Sequence, residues 1–274
     1  LEIFYNYEPR YNKPPVTYWL MAFSTWIFGL STFALRLPIV LMGIGSIYLT
    51  YLLGKQLYGK KEGLYAMVMM AFSIQLLAVK QYASPEMPLT FFFTLTMLWF
   101  IKAYQEKRTT YFYLAYAALG FTVLTKGFPY IIVTAGIIGL FVLLNGSFTV
   151  KRIWNDIKRL QLPLGLIITL LIGLSWIIFM LLKDGQAFWE VYYRETFGRA
   201  LNKASKGTQP FFYLGVLSWS IFPYTLAFIF AVFYWIKNKA IAPKILFPAC
   251  WFLVMLVIFT IAKGKLPTYM IQAH

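Results

Sequence analysis

The sequence contains little charge and very few acidic residues. Only 12% of its 274 residues are charged, and nine Asp and Glu residues stand against 25 Lys and Arg residues. Soluble domains carry about 25% charged residues, whereas 60% of this chain is hydrophobic. The shortage of charge excludes a soluble domain, because water cannot solvate so many apolar side chains.

Cysteine and histidine are almost absent. Cys250 is the sole cysteine, so no disulfide can form within the chain and no thiolate metal cluster is available. His274 is the sole histidine and the last residue, which leaves no histidine-based metal site or catalytic triad in this chain. The chain also lacks an initiator Met at Leu1 and a basic-plus-apolar leader. We therefore expect a chain that is truncated at both ends.

Long apolar runs recur along the whole chain. A helix needs about 17–25 apolar residues to cross the hydrocarbon layer, which is ~30 Å thick. Runs of this length predict an all-α fold, a polytopic bundle of transmembrane helices with interfacial helices beside it. The predicted spans are 33–54, 63–82, 88–104, 111–125, 128–145, 163–182, 210–236 and 244–262.

The positive charge lies in the short loops between these runs. One set of loops, at 55–62, 102–108, 151–159 and 237–244, holds thirteen Lys and Arg residues and three acids. Lys and Arg concentrate in cytoplasmic loops, so this set predicts the cytoplasmic face. Topology therefore accounts for most of the net charge of +16, and no nucleic-acid partner is expected.

Two segments of the opposite, outer face predict helices that lie on the membrane surface. Segment 14–31 contains Tyr18, Trp19 and Trp26, which favour the headgroup zone, and it is predicted to be interfacial or re-entrant. Segment 186–200 interleaves aromatic and charged residues, as amphipathic surface helices do. The single domain 1–274 thus divides into an outer loop 1–32, six spans in 33–182, an outer loop 183–209, and two spans with the start of another in 210–274.

Charged residues cluster on the outer face of this topology. Lys and Arg pair with phosphate oxygens, and partial desolvation at the membrane boundary strengthens this contact. The cluster therefore suits an anionic lipid headgroup. Any one of these cations could instead only snorkel to the headgroups. The cluster comprises Lys13, Arg36, Lys80, Glu86, Lys126, Arg194, Glu195, Arg199, Lys263 and Lys265.

Glu86 differs from the others because it is the only acid in the tight turn Ser84-Pro85-Glu86-Met87-Pro88. It could orient a substrate hydroxyl or a basic side chain. The alternative is an acid that is merely solvated in the turn.

Four short motifs follow one another along the chain. They are Tyr11-Asn12-Lys13-Pro14-Pro15 followed by Tyr18-Trp19, then Tyr82 to Pro88, then Thr125-Lys126-Gly127-Phe128, and then Lys263-Gly264-Lys265-Leu266-Pro267-Thr268-Tyr269. In this order and spacing they resemble the lipid A aminoarabinose transferases, which belong with the protein O-mannosyltransferases among the type-C glycosyltransferases. The resemblance covers nearly the whole chain. It implies an inverting membrane enzyme that transfers a sugar from a polyprenyl-phosphate donor to a lipid or protein acceptor on the outer face of the membrane.

The resemblance also implies roles for single residues. It places Lys13 at the donor phosphate, and it implies the same role for Lys263 and Lys265. Glu86 corresponds to an acid of the family, usually Asp, and is predicted to support catalysis by positioning nearby groups. The complete set predicted to bind the donor phosphate is Lys13, Lys126, Arg199, Lys263, Lys265 and Tyr269.

The sequence departs from the family's pattern in two places. The aminoarabinose transferase binds zinc at positions that read Asn12 and Thr196 here, so no metal site is predicted, although Glu195 adjoins the second position. No cofactor is expected. The family's catalytic Asp lies upstream of the Lys-Pro-Pro motif, and Glu8 is too close to the motif to replace it. We therefore expect this chain to be inactive on its own.

Two other classes of protein would use the same residues differently. A transporter or flippase of lipid-linked anionic glycans would show inverted repeats and helices broken by Gly or Pro near mid-membrane, and we find neither. A structural subunit would use the basic and aromatic residues only as anchors among membrane lipids. We favour the glycosyltransferase, in a bacterial inner membrane with its site facing the periplasm or exterior.

Overall fold

The computed structural model describes residues 3–5, 8–11, 13–79, 84–198, 211–238, 242–262 and 264–273. The fold is helical, as predicted, beside one antiparallel pair of two-residue strands, β1 (Phe4–Tyr5) and β2 (Glu8–Pro9). The helices are α1 (Val16–Phe28), α2 (Thr32–Leu57), α3 (Lys60–Ala71), α4 (Ile74–Val79), α5 (Glu86–Glu106), α6 (Thr109–Lys126), α7 (Pro129–Leu144), α8 (Val150–Arg159), α9 (Leu162–Gly173), α10 (Ser175–Tyr193), a π-helix (Arg194–Gly198), α11 (Phe212–Ser220), α12 (Thr225–Lys237), α13 (Ala242–Ile261) and a 3-10 helix (Pro267–Ala273).

Several of these helices have the length and composition of membrane spans. Helices α2 and α5 are each long and apolar enough to cross a membrane alone. The pairs α9 with α10 and α11 with α12 are bent by 50° and 116°, and each pair has the composition of a broken span or a re-entrant loop. The chain is an integral membrane protein, and the eight crossings remain a prediction.

Three of the predicted spans are divided in the structure. The described part of span 63–82 comprises most of α3 and all of α4, and span 163–182 includes the bend between α9 and α10. Span 210–236 contains α11 and α12, which are separated at Pro223. Proline cannot donate a backbone hydrogen bond, so it favours the end of a helix at this point. This break corrects the expectation that no span is interrupted at Gly or Pro.

The two predicted surface segments form helices with one apolar face outward. Helix α1 lies within segment 14–31 and exposes Phe23 and Trp26. In segment 186–200, the second half of α10 buries Phe188 and Tyr192 and exposes Trp189. This alternation fits a helix at a membrane surface, packed on the protein by one side.

The basic segment 151–159, expected as part of a loop, forms helix α8 instead. Its single acid, Asp156, is buried and accepts hydrogen bonds from Tyr104 Oη and Arg152 Nε, each at 3.2 Å. Arg152 also donates to the backbone carbonyl of Val142 at the end of α7. An ion pair within α8 and contacts to α5 and α7 therefore give this polar segment a helical structure.

Helices α5 and α6 form the antiparallel hairpin that positions the candidate site. The two helices are joined by Lys107, which has a left-handed backbone (φ 58°), and Arg108. Phe93, Met97 and Phe100 of α5 are fully buried in the main apolar cluster. Because the helices run in opposite directions, the start of α5 and the end of α6 lie at the same end of the bundle.

Glycines allow two pairs of helices to approach closely. A Cβ atom at Gly63 of α3 would lie 2.6 Å from the carbonyl oxygen of Tyr51 in α2. A Cβ atom at Gly120 of α6 would lie 2.7 Å from Cβ of Ile172 in α9. Small residues let the backbones of membrane helices pack together in this way.

We expect Gly63→Ala and Gly120→Val to lower the free energy of unfolding by about 1–3 kcal/mol each, because overpacking forces the helices apart. Thermal unfolding of the purified protein in detergent measures the loss. Gly139→Ala in α7 is the matched control, since its Cβ atom would meet nothing within 4 Å. An equal loss in the control would show that the close crossings do not matter.

Candidate active site

Glu86 and Lys126 form an ion pair that is largely buried. Lys126 Nζ lies 2.5 and 2.6 Å from the two carboxylate oxygens of Glu86. The side chain of Lys126 is 15% exposed, and that of Glu86 is 11% exposed. Glu86 opens α5 and Lys126 ends α6, so each charge is also stabilised by the dipole of its own helix. Glu86 thus has a basic partner and is not a solvated turn acid.

The 3-10 helix brings the last sequence motif to this pair. Thr268 Oγ1 donates to Oε1 of Glu86 at 3.3 Å, and Lys126 Nζ lies 5.4 Å from the ring centre of Tyr269. Lys265 is buried and donates to the carbonyl oxygen of Ala262 at 2.9 Å. The second, third and fourth motifs therefore meet at one place.

Buried polar side chains hold the 3-10 helix against the bundle. Gln272 Nε2 donates to Thr90 Oγ1 at 3.1 Å, and Tyr130 Oη donates to Gln272 Oε1 at 3.2 Å. Gln75 Nε2 donates to the carbonyl oxygen of Pro267 at 2.7 Å. Sequence reasoning missed these residues, although polar side chains inside apolar runs are a signal that could have found them.

The Lys-Pro-Pro motif packs beside the same end of the hairpin. Tyr11 lies edge-to-face on Phe188 of α10, with ring centres 5.4 Å apart. Val16 joins Leu124, in the last turn of α6, in a buried apolar cluster. Lys13 lies between these two anchors, and its side chain is partly exposed.

Part of the predicted site lies outside the described residues. Arg199 and Lys263, both predicted to bind the donor phosphate, are among them, as are Lys80 and Asn12. The same holds for the side chain of Thr196. In the ranges that the structure describes, no three His, Cys, Asp or Glu side chains come together. The statement about zinc therefore remains a prediction.

The arrangement suits the binding of an anion at the end of the hairpin. An ammonium group has three N–H donors, and the two short contacts to Glu86 leave Lys126 with further donor capacity. Glu86 thus orients this lysine without using all of its donors. Lys13 and Lys265 belong to the segments that pack at the same end, and the Tyr269 ring borders Lys126.

Comparison with known proteins places these features in a family. Residues 12–179 match the family model described as dolichyl-phosphate-mannose-protein mannosyltransferase. The matched part begins within the first motif, just after Tyr11, contains the second and third motifs, and ends in α10.

Individual relatives cover almost the entire chain. An uncharacterized protein of Aquifex aeolicus (strain VF5) is 32% identical over 98% of this chain and 52% of its own length. The undecaprenyl phosphate-alpha-4-amino-4-deoxy-L-arabinose arabinosyl transferase of Photorhabdus laumondii is 28% identical over 97% of this chain and 48% of its own length. The chain thus spans about half the length of these relatives.

A solved structure has the same fold. The crystal structure of ArnT from Cupriavidus metallidurans, bound to undecaprenyl phosphate, superposes with a TM-score of 0.86 and 20% identity. The superposition covers 99% of this chain and 49% of that one. The helical membrane fold is therefore shared over the whole described chain.

Proposed function

This chain belongs to the dolichyl-phosphate-mannose-protein mannosyltransferase family, and we propose that it forms the donor-binding part of an integral membrane glycosyltransferase. The enzyme transfers a sugar from a polyprenyl phosphate to a lipid or protein acceptor. The observation that carries the proposal is the meeting of Glu86, Lys126 and Tyr269, from three motifs, at one end of the α5–α6 hairpin. The Photorhabdus relative, which is by name an undecaprenyl phosphate-linked transferase, supports the donor class.

The chemistry requires positive charge where the polyprenyl phosphate departs. When the bond from the sugar to the phosphate breaks, negative charge increases on the phosphate oxygens, and fixed cations stabilise it. Lys13, Lys126 and Lys265 supply this charge in the proposal. Glu86 is a positioning residue, because its carboxylate holds Lys126 in one orientation. Arg199 and Lys263 belong to the same proposed set.

The acceptor hydroxyl or phosphate needs a carboxylate to activate or orient it. The resemblance assigns this role to an Asp upstream of the Lys-Pro-Pro motif. We propose that residues 1–274 alone bind the donor and do not transfer the sugar. The positive loops further support an orientation in which the site faces the periplasm or exterior of a bacterial inner membrane.

The test is a transfer assay with membranes that contain the complete protein and a radiolabelled polyprenyl-phosphate sugar. We expect label to move to a membrane lipid or protein, and the labelled product identifies the acceptor. Residues 1–274 alone, assayed in parallel, should retain donor binding without transfer. If the complete protein binds the donor and moves it across the membrane without transferring the sugar, the transporter interpretation replaces this proposal.

A further inference from the structure

A cavity of about 380 Å³ opens between the C-terminal halves of α2 and α5. Its inner wall is apolar and consists of leucines from both helices. Its polar residues lie about one helical turn nearer the helix ends, since a turn takes about 3.6 residues. The apolar wall comprises Leu49, Leu52, Leu95 and Leu98. The cavity is therefore amphipathic along the axes of its two helices.

Two lysines, one from each helix, line the polar end of the cavity. Lys102 Nζ lies 5.2 Å from the ring centre of Trp99 and 5.1 Å from that of Tyr111, so two aromatic rings fix its position. Lys55 of α2 is exposed on the opposite side. Among the described residues, neither lysine takes part in a salt bridge, and no acid lines the cavity. This end therefore carries two positive charges without a carboxylate.

A hydrogen bond bridges the two helices beside the lysines. Gln56 Nε2 of α2 donates to Gln105 Oε1 of α5 at 2.8 Å. Gln56 itself lines the cavity. The bond joins the two helices next to Lys55 and Lys102, so it holds their spacing without neutralising either charge.

The cavity lies far from the candidate active site. Lys102 follows Glu86 by sixteen residues in the same helix, a rise of about 24 Å at 1.5 Å per residue. This distance approaches the ~30 Å thickness of the hydrocarbon layer. The two lysines and the Glu86–Lys126 pair are therefore near opposite boundaries of the membrane.

We propose that this cavity binds one anionic phospholipid from the leaflet opposite the candidate active site. The lipid phosphate lies between Lys55 and Lys102, which donate charge-assisted hydrogen bonds to its oxygens. One acyl chain runs along the leucines toward the membrane interior. Basic pockets between membrane helices bind anionic headgroups in this way, whereas a zwitterionic lipid brings a cationic group against the two lysines.

The test is native mass spectrometry of the purified protein, titrated in detergent with phosphatidylglycerol or phosphatidylcholine. We expect wild type to prefer phosphatidylglycerol by about tenfold, because both lipids offer a phosphate to the lysines but only phosphatidylcholine brings a cationic choline group against them. Lys55→Ala combined with Lys102→Ala should abolish the preference. The matched control is Lys60→Ala combined with Lys61→Ala, which removes two exposed charges from the start of α3 outside the cavity. The control should keep the preference.

Four outcomes would overturn the proposal. Equal loss in the Lys60/Lys61 control would assign the preference to general surface charge. Equal binding of phosphatidylcholine and phosphatidylglycerol would show that the lysines do not select the headgroup and that only the apolar wall binds lipid. Displacement of the lipid by inorganic phosphate would indicate a free-anion site, and preferential displacement by undecaprenyl phosphate would indicate a second site for the donor.

Two further variants keep the test decisive if the double alanine variant does not fold. Lys55→Gln changes only an exposed residue and should weaken phosphatidylglycerol binding several-fold, and unchanged binding contradicts the proposal. Lys55→Arg combined with Lys102→Arg keeps both charges and should keep the lipid preference, and its loss would mean that charge is not what the site recognises.

Discussion

Replacing Lys13 by alanine is expected to lower the rate of sugar transfer on the order of 100-fold to 1,000-fold, as loss of one fixed donor to a developing negative charge does. The variant lacks a cation beside the departing phosphate. Tyr11 and Val16, which flank Lys13 in the sequence, pack against α10 and α6. Because the phosphate gains charge as the sugar leaves, the effect should fall on kcat more than on donor binding. The radiolabel transfer assay measures both.

Two comparisons separate this effect from general charge or misfolding. Lys61→Ala removes an exposed cation from the start of α3 and should leave transfer unchanged. Lys13→Arg retains the charge with a different geometry and should recover part of the rate. Full activity in a folded Lys13→Ala protein would remove this residue from the donor site.

Breaking the Glu86–Lys126 pair is expected to lower the free energy of unfolding by about 3 kcal/mol, because one charge then stays buried without its partner. This value is the lower end of the range for buried pairs, since both side chains keep a small exposed fraction. Lys126→Met leaves the Glu86 carboxylate without its cation, and Glu86→Gln leaves the Lys126 charge uncompensated. The double variant should lose less stability than the two single variants added together, since no unpaired charge remains. Chemical unfolding in detergent gives the three values.

The same double variant distinguishes structure from function. With Lys126→Met and Glu86→Gln combined, the protein should fold and yet transfer sugar poorly, because the positioned cation is gone. Glu190→Gln is the control, an exposed acid of α10 that accepts a hydrogen bond from Gln186; as a surface change it should alter stability by less than about 0.5 kcal/mol. Strict additivity of the single variants would show that the pair does not contribute as a unit.

The sequence identifies individual residues of the candidate site but not the contacts between them. Charge and topology place Lys126 and Glu86 on the same predicted outer face, but they do not predict the contact between the two side chains. They are forty residues apart, and their meeting depends on how α5 packs on α6. Thr268 stands in the fourth motif without a predicted role, and the sequence gives no signal for the contact between Thr90 and Gln272, because each is a single uncharged polar residue in or near an apolar run.

Element boundaries show a similar division. The interruption between α3 and α4 falls inside an apolar run, where hydropathy carries no signal of a break, whereas Pro223 is a sequence signal for the interruption between α11 and α12. For helix α8 the sequence signal is misleading, because a short segment rich in Lys and Arg is typical of a loop. Its helical form depends on Asp156, which is buried against Tyr104 and Arg152.

The sequence by itself determined that this protein is a helical membrane protein, and it predicts an outer face rich in aromatic and basic residues. Backbone groups in hydrocarbon must satisfy their hydrogen bonds within the segment, so long apolar runs permit little besides helices. Tertiary structure alone decided which polar groups meet, namely Glu86 with Lys126 and Gln272 with Thr90. Such contacts depend on the register and approach of separate helices, which close packing sets and local sequence does not encode.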